Sequence, residues 1–124
     1  MIREGDVSDR LYFIKEGQVC LYKMVPNIDL TGFKSKREYK LMTLDVGQVF
    51  GEDKFIFRCA NRYTAKVTSV NAHILTVRTA EFQQYYKKVV PVFTELMRHR
   101  KELMNKQLGS VQKNMVLTGL TTLE

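Results

Sequence analysis

Glu52 and Arg62 are the two charged residues of this chain whose types and spacing best suit the binding of a small anionic molecule. Glu52 offers a carboxylate that can accept hydrogen bonds from sugar hydroxyl groups. Arg62 offers a planar guanidinium that suits phosphate. Gly51, immediately before Glu52, permits unusual backbone angles, and a short helix after it would point unpaired N–H groups at an anion. This combination would suit a phosphorylated nucleoside.

The segment around these residues, Val49–Val67, resembles the phosphate-binding cassette of the cyclic nucleotide-binding domain family. In that family, Phe-Gly-Glu is followed by a short helix and an Arg-(Ala/Thr)-Ala-(Ser/Thr)-Val strand, and this chain has Phe-Gly-Glu at residues 50–52. The segment Arg3–Tyr22 is similar to the family's Gly-x-x-x-Asp-x-x-Tyr-x-x-x-x-Gly-x-Val signature. The matched positions are Gly5, Asp9, Tyr12, Gly17 and Val19. With residues 72–77, the resemblance covers residues 2 to about 86.

The resemblance implies a mainly β fold, a jelly-roll-type antiparallel β-barrel with a short cassette helix and C-terminal α-helices. The residue pattern agrees, because short segments rich in aromatic and β-branched residues alternate with turns. Pro26 and Gly32 interrupt this pattern, which predicts a long surface loop over residues 25–37. Strands are predicted at residues 10–14, 17–24, 39–44, 48–50, 63–70 and 72–78, the last two paired as a hairpin.

Apolar residues recur every three or four positions after Arg78, which is typical of helices. Thr79 can cap a helix at residues 80–86, and Pro91 suits the first turn of a second helix, stopped by Gly109. We therefore divide the chain into a barrel at residues 1–86, a basic helix at residues 87–113 and a tail at residues 114–124. The family barrel normally begins with a helix and a first strand before the part matched here. We expect the chain to be one domain of a larger regulated protein that carries an effector domain.

The net charge of +7 is concentrated in residues 87–113, which hold seven basic and two acidic side chains. Such a patch can attract nucleic acid or an anionic membrane surface, although the solvated face of a helix explains it more simply. Only about 15 residues follow Gly109, too few for a helix-turn-helix, so we expect no DNA recognition. No apolar run approaches the roughly 18 residues of a membrane span, and no leader is apparent. A cytoplasmic location is the expectation.

The resemblance also implies the ligand, cAMP or cGMP, with no cofactor or metal. Backbone amides near Gly51 would hold the cyclic phosphate, Glu52 would bind the ribose 2′-hydroxyl, and Arg62 would neutralise the phosphate. The predicted ligand-binding residues are Phe50, Gly51, Glu52, Asp53, Lys54, Arg62, Tyr63, Thr64 and Ala65. In the family, the C-terminal helix covers the base of the nucleotide. The apolar stripe on the second helix therefore either packs in the core or forms a lid over the ligand. Its residues are Leu96, Met97, Leu103 and Met104.

The cassette departs from the family pattern at two places. If Thr64-Ala65-Lys66-Val67 matches the family strand, Tyr63 occupies the arginine slot and Arg62 precedes it. If Arg62 takes the slot, Lys66 faces inward, and burying an unpaired lysine costs several kcal/mol, which favours the first alignment. Asp53 replaces an apolar residue beside the phosphate. It either caps the short helix and faces water, or has its charge compensated by Lys54.

Two functions are compatible with these residues. The first is a non-catalytic regulatory domain that binds cAMP or cGMP and transmits occupancy through its C-terminal helix. The alternative is a degenerate member that binds no nucleotide and serves as a protein-interaction or scaffold module. Enzyme activity is not expected, because the sequence has no metal-ligand spacing, Walker-type loop or nucleophile elbow. An Arg62 side chain in solvent, with the Tyr63 ring filling the cassette, would favour the scaffold.

Overall fold

The computed structural model of the chain describes the backbone of residues 2–28 and 30–123, and the side chains of residues 2–26 and 30–109. Within this part of the chain, six strands form two antiparallel sheets of three strands each. The strands are β1 (Arg10–Glu16), β2 (Val19–Ile28), β3 (Lys34–Leu44), β4 (Val49–Phe50), β5 (Thr64–Val67) and β6 (His73–Arg78). One sheet has the order β4-β1-β6 and the other the order β3-β2-β5.

Three helical segments complete the described chain. A π-helical turn, Asp53–Phe57, follows β4 in the cassette, and α1 (Thr79–Tyr85) follows β6 directly. The long helix α2 (Val90–Leu123) ends the described chain. These elements confirm the predicted mainly β, antiparallel fold with a short cassette helix and C-terminal helices.

Strand β1 is packed on both of its faces, because its side chains alternate between two apolar clusters. Tyr12 and Ile14 point into the barrel, where they contact residues of both sheets and Met104 of α2. Leu11 and Phe13 point the other way, into a cluster with Phe82 of α1 and residues of α2. The core therefore joins the sheets to both C-terminal helices.

Two local predictions about the strands are wrong. Residues 25–37 are not a surface loop, because β2 continues to Ile28 and pairs with β3 from Lys34 onwards. The buried side chain of Val25 anchors this longer ribbon against the core. The two strands predicted as a hairpin also do not pair with each other: β5 pairs with β2 and β6 pairs with β1, in different sheets. The connection between them crosses from one sheet to the other.

The predicted helix boundaries also need correction. Gly109 does not stop α2, which continues to Leu123. A single glycine costs a helix interior only about 1 kcal/mol, and the flanking residues are compatible with a helix. Thr79 is the first residue of α1 instead of its cap; the N-cap is Arg78, which makes no side-chain capping bond.

Gly17 lies where the β1–β2 turn meets the β5–β6 connection, and its φ of +94° is one that side chains disfavour. A Cβ atom there would lie 2.4 Å from the Asn71 carbonyl oxygen, which is backbone and cannot turn aside. We expect Gly17→Ala to lower the free energy of unfolding by about 1–3 kcal/mol, measured by urea denaturation.

Gly109→Ala is the matched control for this substitution. Apart from its chain neighbours and the adjacent backbone of its own helix, no described atom lies within 4 Å of the Cβ position at Gly109, which is inside α2. Alanine there is expected to raise stability by up to about 1 kcal/mol. Equal effects of the two substitutions would contradict the close contact at Gly17.

Candidate functional site

The backbone at Gly51 directs the side chain of Glu52 into the protein. Phe50 ends β4 as a buried ring stacked on Tyr12, with 5.0 Å between the ring centroids. Gly51 then adopts a φ of +90°, and a Cβ atom there would lie 2.8 Å from both the Arg10 carbonyl oxygen and the Tyr12 ring. Only glycine combines this angle with this close approach, so the tight turn predicted from the Phe-Gly-Glu motif is present.

The Glu52 carboxylate has no exposed surface and three polar neighbours. The Tyr63 hydroxyl donates to it, 2.8 Å from Oε2 and 3.0 Å from Oε1. The Arg100 guanidinium donates from Nη2 to Oε2, and Nη2 of Arg62 lies 3.7 Å from Oε1. A buried carboxylate requires such partners, because an unpaired charge in the interior is strongly unfavourable.

Tyr63 is the residue that the first of the two alignments places in the family's arginine slot. Its ring is buried, and its hydroxyl both donates to Glu52 and accepts a hydrogen bond from the Gly51 N–H at 3.1 Å. The next residues of the strand agree with the first of the two alignments: Ala65 is buried, and Lys66 is exposed and paired with Glu38. Burial raises the pKa of the Tyr63 phenol, and the Glu52 charge raises it further, so the phenol stays protonated as a donor.

Arg62 lies beside this slot and forms an ion pair with Asp53. Its Nε donates to Asp53 Oδ1 at 2.8 Å, and its backbone N–H donates to Oδ2 at 2.7 Å. The guanidinium also lies over the Phe57 ring, 4.8 Å from the centroid. The Arg62 side chain therefore does not point into solvent, and it pairs with Asp53 instead of entering the arginine slot. Neither alignment of the sequence predicted this position.

Asp53 is buried, so the prediction that it caps the short helix and faces water is wrong. Arg62 compensates its charge, whereas Lys54, the predicted partner, is exposed. Burial raises the pKa of the Asp53 carboxyl above its ordinary value, and the charge of Glu52 adds to this effect. The hydrogen bonds from Arg62 lower the pKa of Asp53 and oppose the increase without cancelling it.

Arg100 is the functional residue that the sequence analysis missed. It lies on α2, where its Nη1 donates to the Val49 carbonyl oxygen and its Nη2 donates to Glu52. Burial lowers the pKa of Arg100, but the Glu52 charge, the hydrogen bond to Glu52 and the nearby acidic groups together more than reverse this, so the group stays charged. A signal was present in the sequence: Arg100 is in phase with Met97 and Met104, on the apolar stripe of the helix. A charge on a buried stripe needs a buried partner of opposite charge.

The four lid candidates fall into two groups. Met97 and Met104 are buried and belong to the two core clusters. Leu96 and Leu103 are exposed and border an apolar groove beside Val49. The Thr64 hydroxyl, another predicted binding group, accepts a hydrogen bond from the Glu4 backbone N–H at 3.1 Å.

The cavity that borders Arg62 in the described part of the chain is small with α2 in this position. A cavity of about 100 Å³ lies between strands β2 and β3 and helix α2, lined by Lys23, Leu41, Arg62, Met104, Asn105 and Leu108. Pockets that bind small molecules usually measure about 300–1,000 Å³. A nucleotide would therefore need α2 or Tyr63 to move. Two buried donors of the site, Arg62 Nη2 and Arg100 Nε, have no hydrogen-bond partner in the described chain.

A family model described as the cyclic nucleotide-binding domain matches residues 1–89. The chain belongs to the cyclic nucleotide-binding domain family. This confirms the resemblance drawn from the cassette and from the glycine-rich N-terminal signature. It is a regulatory, ligand-binding type of domain. A comparison with curated protein sequences gives no significant match.

Solved structures of cyclic nucleotide-binding proteins have similar folds. The cAMP-bound form of the EAL enzyme Bd1971 is 25% identical, with a TM-score of 0.59, and the match covers 99% of this chain and 30% of that one. The regulatory domain of Toxoplasma gondii protein kinase A with cAMP is 15% identical, with a TM-score of 0.61, over 82% of this chain and 34% of that one.

A third structure is a triple mutant of the regulatory subunit of a cAMP-independent protein kinase A from Trypanosoma brucei, bound to cAMP in its A site. It is 21% identical, with a TM-score of 0.62, over 83% of this chain and 37% of that one. The present chain thus spans about a third of the length of these three proteins. At 15% and 21% identity, the two kinase subunits support the fold alone.

The described residues contain no group of three or more His, Cys, Asp or Glu side chains placed to hold a metal ion. None of the helices in the described part of the chain is both long enough and apolar enough to cross a bilayer.

The position of Arg100 gives a direct test of the site. Arg100→Ala would leave the buried Glu52 carboxylate without its strongest cationic partner, which typically costs about 3–5 kcal/mol. We expect a loss of this size in the free energy of unfolding, measured by urea denaturation. The control is Arg98→Ala on the same helix, which removes an exposed partner of Glu95 and should change stability little. Similar losses in both variants would contradict the Arg100–Glu52 contact.

Proposed function

We propose that this chain is a regulatory domain that binds cAMP or cGMP at the cassette around Glu52 and transmits occupancy through α2. The observation that supports this most is the direct contact between Arg100 of α2 and the Glu52 carboxylate. Glu52 matches the family residue that contacts the ribose 2′-hydroxyl. A ligand at Glu52 would therefore act on the same carboxylate that holds the helix.

Ligand binding requires a second arrangement of the site. In the present one, the Tyr63 hydroxyl is hydrogen-bonded to the Gly51 N–H and the Glu52 carboxylate, and the cavity that borders Arg62 between described residues measures about 100 Å³. A ligand shifts such an equilibrium only by binding one arrangement more tightly than the other. The observed affinity equals the affinity of the open arrangement multiplied by the fraction of molecules that are open. Regulation follows because opening the site displaces α2 or its contacts.

Arg62 is the cation best placed to meet the cyclic phosphate. Its Nε is engaged with Asp53, but Nη2 is buried without a hydrogen-bond partner in the described chain. An unsatisfied buried donor is costly, and a phosphate oxygen would satisfy it with a charge-assisted hydrogen bond. Asp53 already offsets part of the Arg62 charge, so the attraction is weaker than that of an unpaired arginine.

One observation supports a second function, a scaffold without nucleotide. Tyr63 satisfies the Gly51 N–H and Glu52 internally, so these two groups of the cassette need no ligand. In that case the ion pairs at Glu52 and Asp53 serve only to fix the fold for a protein partner. Ligand titration separates the two functions, because the scaffold has no affinity for cAMP or cGMP.

Thermal stabilisation by ligand is the first test of the proposal. A ligand that binds only the folded state at 100 times its dissociation constant stabilises it by about 2.7 kcal/mol. We expect cAMP or cGMP to raise the melting temperature in a concentration-dependent manner and to release or absorb heat in calorimetry. AMP, which lacks the cyclic phosphate, is the control ligand. The absence of both heat and stabilisation at millimolar cyclic nucleotide would refute nucleotide binding and leave the scaffold function.

Substitutions at Arg62 and Tyr63 test which residue meets the phosphate. Loss of a charge-assisted bond costs about 1.5–3 kcal/mol, so Arg62→Ala should weaken binding about ten- to a hundredfold or more. Tyr63→Arg should strengthen binding by placing a guanidinium in the family position. Arg3→Ala, which removes an exposed arginine outside the cassette, is the control and should leave affinity unchanged. Unchanged affinity in Arg62→Ala together with a gain in Tyr63→Arg would show that the phosphate contact is wrongly assigned to Arg62.

A further inference from the structure

The outer half of the β2–β3 hairpin projects beyond its sheet. Strand β5 pairs with β2 only over Val19–Tyr22, whereas β2 and β3 remain paired as far as Ile28 and Lys34. Among the described residues, no third strand pairs with β2 beyond Tyr22, and the last contacts with the rest of the domain are those of Lys23 and Met24 with Glu4 and of the buried Val25. Its end, residues 30–37, is referred to below as the hairpin tip.

Two large apolar side chains are exposed at the hairpin tip. Leu30 is 62% exposed and Phe33 is 67% exposed. Transfer of each side chain from water to an apolar environment would lower its free energy. They lie in the connection between β2 and β3, at the far end of the ribbon from the β1–β2 turn. Single exposed apolar residues are common on protein surfaces, but a leucine and a phenylalanine together at the end of a projecting ribbon suit insertion into an apolar layer.

Three exposed basic side chains follow these apolar residues directly: Lys34, Lys36 and Arg37. None of the three belongs to an ion pair between described residues. The nearest acidic residue of β3, Glu38, already pairs with Lys66 of β5. The hairpin tip thus presents positive charge that the rest of the described chain does not neutralise.

We propose that the hairpin tip docks on an anionic membrane surface. Leu30 and Phe33 enter the boundary between headgroups and acyl chains, and Lys34, Lys36 and Arg37 contact the anionic headgroups. Interfacial binding combines these two terms, buried apolar area and attraction to anionic lipid. The inference does not depend on nucleotide binding and concerns a different part of the molecule from the cassette.

Charge and apolar exposure together favour a lipid surface over nucleic acid. A nucleic acid would satisfy the three basic side chains through its phosphates, but a contact of that kind leaves Leu30 in water. The basic stretch at residues 87–113 fits a membrane less well, because Arg100 is buried and Arg98 pairs with Glu95. The hairpin tip combines free charge with apolar side chains.

Vesicle co-sedimentation of the whole chain tests this proposal. We expect binding to vesicles of phosphatidylcholine mixed with phosphatidylserine, weaker binding at high salt, and little binding to phosphatidylcholine alone. Each basic residue near an anionic membrane contributes about a fivefold gain in affinity. The triple change Lys34→Gln, Lys36→Gln and Arg37→Gln should therefore weaken binding by about a hundredfold. The double change Leu30→Ser and Phe33→Ser should also release the protein from the vesicles.

The matched control changes two exposed lysines outside the hairpin, Lys87→Gln and Lys88→Gln, and should lower affinity much less. Melting temperatures of all variants show whether they remain folded. No binding to the mixed vesicles, or equal binding by the hairpin-tip and control variants, would overturn the proposal. A third result would also overturn it: the charge changes abolish binding, Leu30→Ser and Phe33→Ser have no effect, and the protein binds duplex DNA with comparable affinity. That pattern would indicate a general polyanion site.

Discussion

Burial of the Glu52 carboxylate is the constraint on which the arrangement of the cassette depends. A charge in this position is tolerated only with partners, and these come from two separate parts of the chain: the consecutive residues Arg62 and Tyr63 just before β5, and Arg100 of α2. Removing one partner of a buried pair typically costs 3–5 kcal/mol, an appreciable part of the stability of a small domain. The position of α2 on the barrel is therefore tied to one side chain of the cassette.

The groups around Glu52 form a balanced set of charges. Glu52 and Asp53 are opposed by Arg62 and Arg100, and Tyr63 contributes a neutral hydroxyl that both donates and accepts. Balance explains how so many ionisable groups stay buried together, since each has an opposite charge or a hydrogen bond nearby. It also means that an added phosphate would bring a negative charge into a site without spare positive charge. Any binding must therefore include a rearrangement of these pairs.

The sequence allowed the tight turn at Gly51 and the register of β5 to be predicted because both depend on local rules. Phe-Gly-Glu requires a tight turn, and Lys66 fixes the strand register, since only one register leaves the lysine in water. Contacts between residues distant in the sequence could not be predicted in this way. Periodicity shows that Arg100 lies on the buried face of α2 but not which acid it meets. The same limit explains why two strands joined by a short connection were expected to pair, although they belong to different sheets.

The length of α2 gives the Arg100 contact a mechanical consequence. The helix has 34 residues, and Leu123 is 23 positions beyond Arg100, about 35 Å along the helix axis. Under the proposed function, the helix is a lever whose short arm rests on the barrel near Arg100. If the helix stays rigid, a tilt of about 10° at that point displaces its far end by about 6 Å. A small tilt where Arg100 meets the barrel would in this way become a displacement as large as a side chain at the far end of the helix.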